Sequence, residues 1–289
     1  MSLSHGQVTG LPRWDRCAVM GVVNVTPDSF SDGGRWFDAE AAVKRGLDLV
    51  AEGADLVDVG GESTRPGATR VDEAEELRRV IPVVRELAER GVVVSVDTMR
   101  ASVAEQSVAA GARLVNDVSG GRADARMVPV VADAGVPFVV MHWRGQSVDM
   151  NDRAVYADVT GEVIAELRDS LARAVAGGIA ADRIVVDPGL GFAKRAEHDL
   201  TLMADMARLR AELDAPLLIA ASRKRFLGRV LAGPGGAPPP ARDRDAATAA
   251  VSALAAAAGA WAVRVHEVRA SADAVRVVAA TRDPEGFAS

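Results

Sequence analysis

The run "WAVRVHEV", Trp261 to Val268, decides how this chain reads. Trp261, Val263 and Val265 suit a β-strand, while Arg264 and His266 take the alternate positions at its end. Alternate positions face one way, and a buried charge is costly unless it is paired. A strand that looks buried yet ends in a guanidinium and an imidazole must deliver both to a shared polar place. Seven further short runs have the same look: Val19–Asn24, Leu56–Gly60, Val92–Asp97, Leu114–Asp117, Phe138–His142, Ile184–Asp187 and Leu217–Ser222. Near-continuous apolar runs suit parallel strands covered on both faces.

The intervening stretches carry helical spacing. Val43, Leu47, Val50 and Ala54 form one stripe, and Leu77, Ile81, Val84 and Leu87 form another, in which Pro82 predicts a kink or a split. Alternating strand and helix argues for a parallel α/β fold. Eight such units in 289 residues favour a closed, single-domain (β/α)8 TIM barrel over an open doubly wound sheet. No domain boundary interrupts residues 1–289; 1–16 read as an N-terminal extension and 233–241, with "GPGGAPPP", as a flexible loop in front of the last helix. The alanine-rich run from Ala246 to Trp261 reads as a packed helix, and "RDRD" at 242–245 as its solvated start.

Composition narrows the function. The net charge of -6 excludes an overall basic field for nucleic acid or anionic membrane, so any anion must be held by a local cluster. Cys17, the single cysteine, excludes an internal disulfide and a thiolate metal cage. Four histidines, His5, His142, His198 and His266, make a histidine-rich metal centre an unpromising reading. No apolar run reaches the roughly 18 residues of a membrane span. "MSLSHGQVTG" lacks an apolar core, so no signal peptide and a cytoplasmic location are expected.

In a barrel, chemistry gathers at the C-terminal strand ends. Those ends carry Asn24, Asp58, Asp97, Asn116, Met141 with His142, Asp187, Ser222 with Lys224, and Arg264 with His266. Any one Asp or Asn there is ordinarily a helix cap or turn residue. Eight ends of such varied chemistry, cations included, point instead to a shared mouth.

The motifs at these ends occur in a recognisable order. They are "MGVVNVTPDSFSDGG" from Met20, "VDVGGESTRPGATRV" from Val57, "SVDTMR" from Ser95, "VNDVSGG" from Val115, "DPGLGF" from Asp187, "ASRKRFLG" from Ala221 and "RVH" from Arg264. Together they resemble the dihydropteroate synthase family, from about Met20 to the end of the last helix. The resemblance implies condensation of a dihydropterin methyl diphosphate with para-aminobenzoate, with release of diphosphate, in the enzyme class that sulfonamides inhibit. It implies small-molecule partners, a homodimer, for which Ala246–Ala258 is the expected interface helix, and a magnesium ion (Mg2+) held with help from Asn24.

Roles follow from that resemblance, residue by residue. The pterin would meet Asp97, Asn116, Met141, Asp187, Phe192 and Lys224. Asp187 would accept a pair of ring donors, Asn116 would serve another ring edge, and Lys224 would donate to ring acceptors. Asp97 would face the cation that develops as diphosphate leaves. The diphosphate would be held by Asn24, Arg65, Arg264 and His266, and the aminobenzoate by Phe30, Thr64, Arg65, Pro66 and Ser222. Asp97, Lys224, Arg264 and His266 form the expected catalytic group. The loops Thr26–Gly34 and Gly60–Gly67 would close over the site as a lid. Asp58 reads first as structural, satisfying neighbouring backbone, with support of Asp97 as its other reading, and His142 as a packed or hydrogen-bonded residue. Met141 and Phe192 also suit ordinary core. Two other readings use the same barrel: a pterin-binding methyltransferase, and a non-catalytic pterin-binding protein. "TRPG", "SRK" and "RVH" together disfavour both.

Overall fold

The computed structural model describes residues 6–26, 37–62, 71–145 and 153–287. Eight strands run as β1 (Ala18–Asn24), β2 (Leu56–Gly60), β3 (Val94–Asp97), β4 (Leu114–Asp117), β5 (Phe138–Met141), β6 (Ile184–Asp187), β7 (Leu218–Ile219) and β8 (Ala262–Val265). Around them lie α1 (Phe37–Glu52), α2 (Glu73–Glu89), α3 (Ala101–Ala109), α4 (Met127–Ala134), α5 (Val159–Ala176), α6 (Ala196–Ala204), α7 (Met206–Leu213), α8 (Arg225–Ala232), α9 (Asp245–Ala258), α10 (Arg269–Arg282) and the short α11 (Pro284–Phe287). Neighbouring strands are parallel in the order β6-β5-β4-β3-β2-β1-β8-β7. A single bridge between Val186 and Leu217 joins β6 to β7 and closes the ring. The predicted barrel is the observed one.

The strands read from sequence recur within a residue or two, except the seventh. Only Leu218 and Ile219 of the expected Leu217–Ser222 pair as β7, because Pro216 precedes the strand and the chain turns away after it. Pro82 does not split its helix: α2 runs as one element from Glu73 to Glu89, opened by Asp72, whose carboxylate accepts from the Glu75 N–H at 2.8 Å. The Gly/Pro stretch precedes α9, not the last helix, and two helices follow β8. The carbonyl of Pro239 within it accepts from Arg244, so "RDRD" is more than a solvated helix start.

Strand alternation divides the core in two. Val57, Val59, Val96, Val115, Val140, Val186, Val263 and Val265 pack outward under the helices. Met20, Leu56, Leu114, Val139, Val185, Leu218 and Ala262 fill the barrel's lower interior. Because side chains repeat every second residue, the next inward tier is two residues on: Val22, Asp58, Asn116, Met141, Asp187, Ala220 and Arg264, joined by Asp97. The apolar tier thus supports a largely polar one. Below, Val8 and Leu11 of the N-terminal extension close the bottom, and Trp14 lies 6.0 Å from Trp261 between ring centroids. Arg16 and the Val19 N–H both bond Asp55, which fastens the starts of β1 and β2. No helix among the described residues is long and apolar enough to cross a membrane.

Phe138 of β5 is fully buried in the layer between strands and helices. Its truncation in Phe138→Ala is expected to cost about 3–5 kcal/mol, and thermal melting should show a midpoint lower by roughly 10 °C. A melting point unchanged within error would contradict this packing.

Candidate active site

Arg264 sits at the centre of the mouth. Its Nε donates to Asp58 Oδ2 at 2.6 Å and its Nη2 to Asp97 Oδ2 at 2.8 Å. Asn116 Nδ2 also donates to Asp58 Oδ2, at 2.9 Å. Four strand ends, from β8, β2, β3 and β4, are thereby joined through side chains alone. The two carboxylates and the amide are buried, Asp58 completely. One arginine between two buried carboxylates leaves a net negative cluster. Burial pushes the Asp97 carboxyl up to about 7, against the pull of Arg264 and with a further push from Asp58. Asp58 Oδ1 is buried with no hydrogen-bond partner among the described residues. Asp58 therefore does more than satisfy backbone: it holds Arg264 and Asn116 in position.

Across the mouth, Asp187 ends β6 and is also buried. Its Oδ1 accepts the Gly189 N–H at 2.7 Å, which folds the following loop back over the strand end. Gly189 has φ +67°, and a Cβ there would lie 2.4 Å from the His142 carbonyl, so this turn requires glycine. Burial raises the Asp187 carboxyl, with Lys224 opposing it. Lys224, at the start of α8, donates to the Leu190 carbonyl and lies 5.0 Å from the centroid of the Phe192 ring. Burial lowers its ammonium, and Asp187 and Asp199 draw it back. Met141, buried at the end of β5, pairs in register with Asp187 beside the mouth.

His266 follows β8. Its backbone N–H donates to Ser222 Oγ at 3.1 Å, and its ring Nδ1 is 2.9 Å from the same oxygen. This unites the ends of β7 and β8. Arg223, at φ +59°, turns outward to Asp245 with two contacts of 2.7 Å, while Arg244 caps the Arg223 and Lys224 carbonyls. That bracing separates Arg223 from its two neighbours, Ser222 and Lys224. Asn24 ends β1 opposite Gly60, which stands opposite Asp97 in turn.

The structure brings Asn24, Asp97, Asn116, Met141, Asp187, Phe192, Ser222, Lys224, Arg264 and His266 to one end of the barrel. Phe30, Thr64, Arg65 and Pro66 lie outside the described residues, as does most of both lid loops. The flanks of the second loop are described. Arg100 bonds Glu62 before it (2.9 Å), the Val71 carbonyl after it, and Glu76 beneath. Glu76 also accepts from Thr98 at 2.6 Å.

Sequence reasoning missed a second polar group behind the Asp187 loop. Lys194, buried, donates to His142 Nδ1, and His142 Nε2 lies 3.0 Å from Glu166. Burial, together with the Lys194 charge, drives the His142 pKa down to about 4, so the ring is neutral. His142 read as packed or hydrogen-bonded, which it is, but its partner Lys194, two residues beyond Phe192, by itself reads as solvent-facing. Among the described residues no group of three or more His, Cys, Asp or Glu could hold a metal ion.

A family model described as "Pterin binding enzyme" matches residues 20–266. The chain is 56% identical over 263 residues to the dihydropteroate synthase of Mycobacterium leprae, covering 91% of this chain and 92% of that one. Its fold matches Xanthomonas albilineans dihydropteroate synthase solved with 4-aminobenzoic acid, at a TM-score of 0.85 and 45% identity over 93% of this chain and 94% of that chain. It also matches the Yersinia pestis dihydropteroate synthase in a sulfonamide complex, at a TM-score of 0.87 and 39% identity, covering 96% and 98%. With its Asp187 loop, Lys224 and the Arg264 cluster all on the matched stretch, the chain belongs to the dihydropteroate synthase family of pterin binding enzymes.

Proposed function

We propose that this protein joins 6-hydroxymethyl-7,8-dihydropterin diphosphate to para-aminobenzoate, giving 7,8-dihydropteroate and diphosphate. The observation that carries the reading is the opposition of Asp187, beside Lys224 and Phe192, to the Arg264-bound Asp97 across one barrel mouth. A pterin offers adjacent N–H donors to a carboxylate, and Asp187 takes them as a bidentate acceptor. Asn116 reads a second ring edge, and Lys224 donates to the ring oxygen and nitrogen. Phe192 and Met141 cover the ring.

The C–O bond to diphosphate breaks first, and the leaving group takes the electron pair. The carbon left behind is a pterin methyl cation. Asp97 stabilises it as charge develops, from a position fixed before the reaction begins. Arg264 has five N–H donors, two of which serve Asp58 and Asp97. Its outer edge, with His266 and Asn24, receives the diphosphate. The aminobenzoate nitrogen then attacks the cation, a C–N bond forms and the amine loses a proton. Ser222 receives the aminobenzoate carboxylate, and the family resemblance gives Phe30, Thr64, Arg65 and Pro66 to the same substrate.

Magnesium fits this site in one way. Asn24 supplies a single neutral oxygen, and no acidic cage surrounds it among the described residues. Such a donor set suits an ion that keeps its waters and shares the diphosphate oxygens. When bound, the ion neutralises charge on the leaving group. The partnership is with small molecules; the homodimer implied by family membership would use the α9–α10 face, where Leu254 and Val277 are exposed.

A condensation assay following diphosphate release tests the reading, run with and without para-aminobenzoate. Product and diphosphate should appear together, with a sulfonamide competing against the aminobenzoate; pterin binding without product would favour a methyltransferase or non-catalytic relative. Asp97→Asn should lower kcat about 10²–10³-fold, with pterin binding largely kept.

Because Asp97 is raised, its carboxylate fraction grows as pH rises through about 7. The kcat/KM profile should therefore climb over that range. Arg264→Gln removes the charge that pulls Asp97 down and should move the limb higher; a flat profile would refute the assignment. Chelation of magnesium should slow turnover and leave the melting temperature unchanged, and added magnesium should restore the rate.

A further inference from the structure

The lysine behind the Asp187 loop has no part in the chemistry above, yet few side chains here are better satisfied. Lys194 Nζ has three protons and three acceptors: His142 Nδ1 at 2.9 Å, the Gly189 carbonyl at 3.0 Å and the Phe192 carbonyl at 3.1 Å. The loop it holds is the one that shapes the Asp187 pocket. Its outer contacts are the Gly189 N–H on Asp187, the Gly191 N–H on Asp199 at 2.7 Å and Lys224 on the Leu190 carbonyl. Lys194 supplies the inner ones. Ala193, between Phe192 and Lys194, is in the left-handed region at φ +48°, which a residue with a Cβ adopts only when its surroundings impose it. Tyr156 Oη donates to the Ala193 carbonyl at 3.0 Å, and Arg144 lies 3.9 Å from the Tyr156 ring centroid.

The far side of the contact is built as carefully. An ammonium donating to His142 Nδ1 fixes the tautomer that carries its proton on Nε2, which donates to Glu166 at 3.0 Å. Arg144 in turn donates to Glu166 and, at 2.8 Å, to Glu162. The series runs from α5 to the pocket loop with cation, neutral ring, anion and cation alternating. Burial draws the Lys194 ammonium down to about 7, and Asp199 and Asp187 draw it back. The three acceptors are what keep a buried charge worth retaining.

We propose that Lys194 is a positioning residue for the pterin site: docked on the neutral His142 ring, it holds the Gly189 and Phe192 carbonyls and so sets where Asp187 and the Phe192 ring meet the ligand. The proposal rests on the pterin reading of the Asp187 pocket given above. It distinguishes a residue that shapes affinity for one substrate from one that merely adds stability.

The test measures binding of the dihydropterin methyl diphosphate by titration calorimetry, together with separate KM values for that substrate and for para-aminobenzoate. Lys194→Met keeps the stem and removes the donors. It should weaken pterin binding by about tenfold or more, as expected when a buried network loses a charged member, and leave the aminobenzoate KM within about twofold. His142→Leu, which deletes the acceptor, should do the same in part. His142→Asn presents an amide oxygen to Lys194 and should recover most of the affinity. If Lys194→Met does not fold, the His142 pair decides the matter. Wild-type pterin affinity in both Lys194→Met and His142→Leu, with only a lower melting temperature, would overturn the proposal. A wild-type protein that binds the pterin but makes no product would overturn the synthase reading while the affinity comparison still stands; one that binds no pterin would overturn both.

Discussion

Everything at this barrel's mouth depends on how one guanidinium is shared. Arg264 reaches two buried carboxylates from strands on the far side of β1, and Asn116 closes the group on Asp58. Removing one partner of a buried ion pair is far more damaging than never having had the pair. The cluster is therefore over-determined: Asp58 keeps Arg264 and Asn116 aligned, and the aligned Arg264 keeps Asp97 from rotating freely and opposes the burial that pushes its carboxyl up. The position of the reactive carboxylate is set by a charge balance, not by loop conformation.

The same economy explains the tiers inside the barrel. The lower tier is apolar and supplies the burial that holds the strands together. The upper tier rests on it, and there Asp58, Asp97, Asn116 and Arg264 bond one another. Along β2, β4, β6 and β8 the change from stability to chemistry takes a single side-chain repeat: Leu56 to Asp58, Leu114 to Asn116, Val185 to Asp187, Ala262 to Arg264.

Much of this was legible in the sequence, for physical reasons that differ by residue. The strands were visible because burial on both faces demands continuous apolar runs, and the mouth because polar residues ended every one of them. β7 was over-read because Ala220 and Ala221 are apolar but no longer pair. Pro82 leaves α2 in one piece, since a helix anchored by Val80, Val83, Val84 and Leu87 absorbs one missing N–H. Asp58 could be read only as structure or as support for Asp97, because its partner is an arginine 206 residues away, a distance no local pattern spans. Lys194 was invisible for the opposite reason: its partners are mostly backbone carbonyls, which every sequence contains. The readings of Phe30, Thr64, Arg65 and Pro66 stand on resemblance alone.

The ring of strands has seven well-paired joints and one slight one, the bridge between Val186 and Leu217. That seam lies between the strand carrying Asp187 and the strand leading to Ser222 and Lys224. Across it run the Lys224 contact to Leu190 and the bond from the Val186 N–H to the Pro216 carbonyl at 2.9 Å. The barrel resembles a bracelet whose clasp lies at the ligand pocket. A slackening of the clasp would widen the gap between Asp187 and Lys224 while the Arg264 cluster, anchored on the opposite arc, kept its shape. The slightest joint of the ring and its most cross-bonded side-chain cluster thus share one mouth.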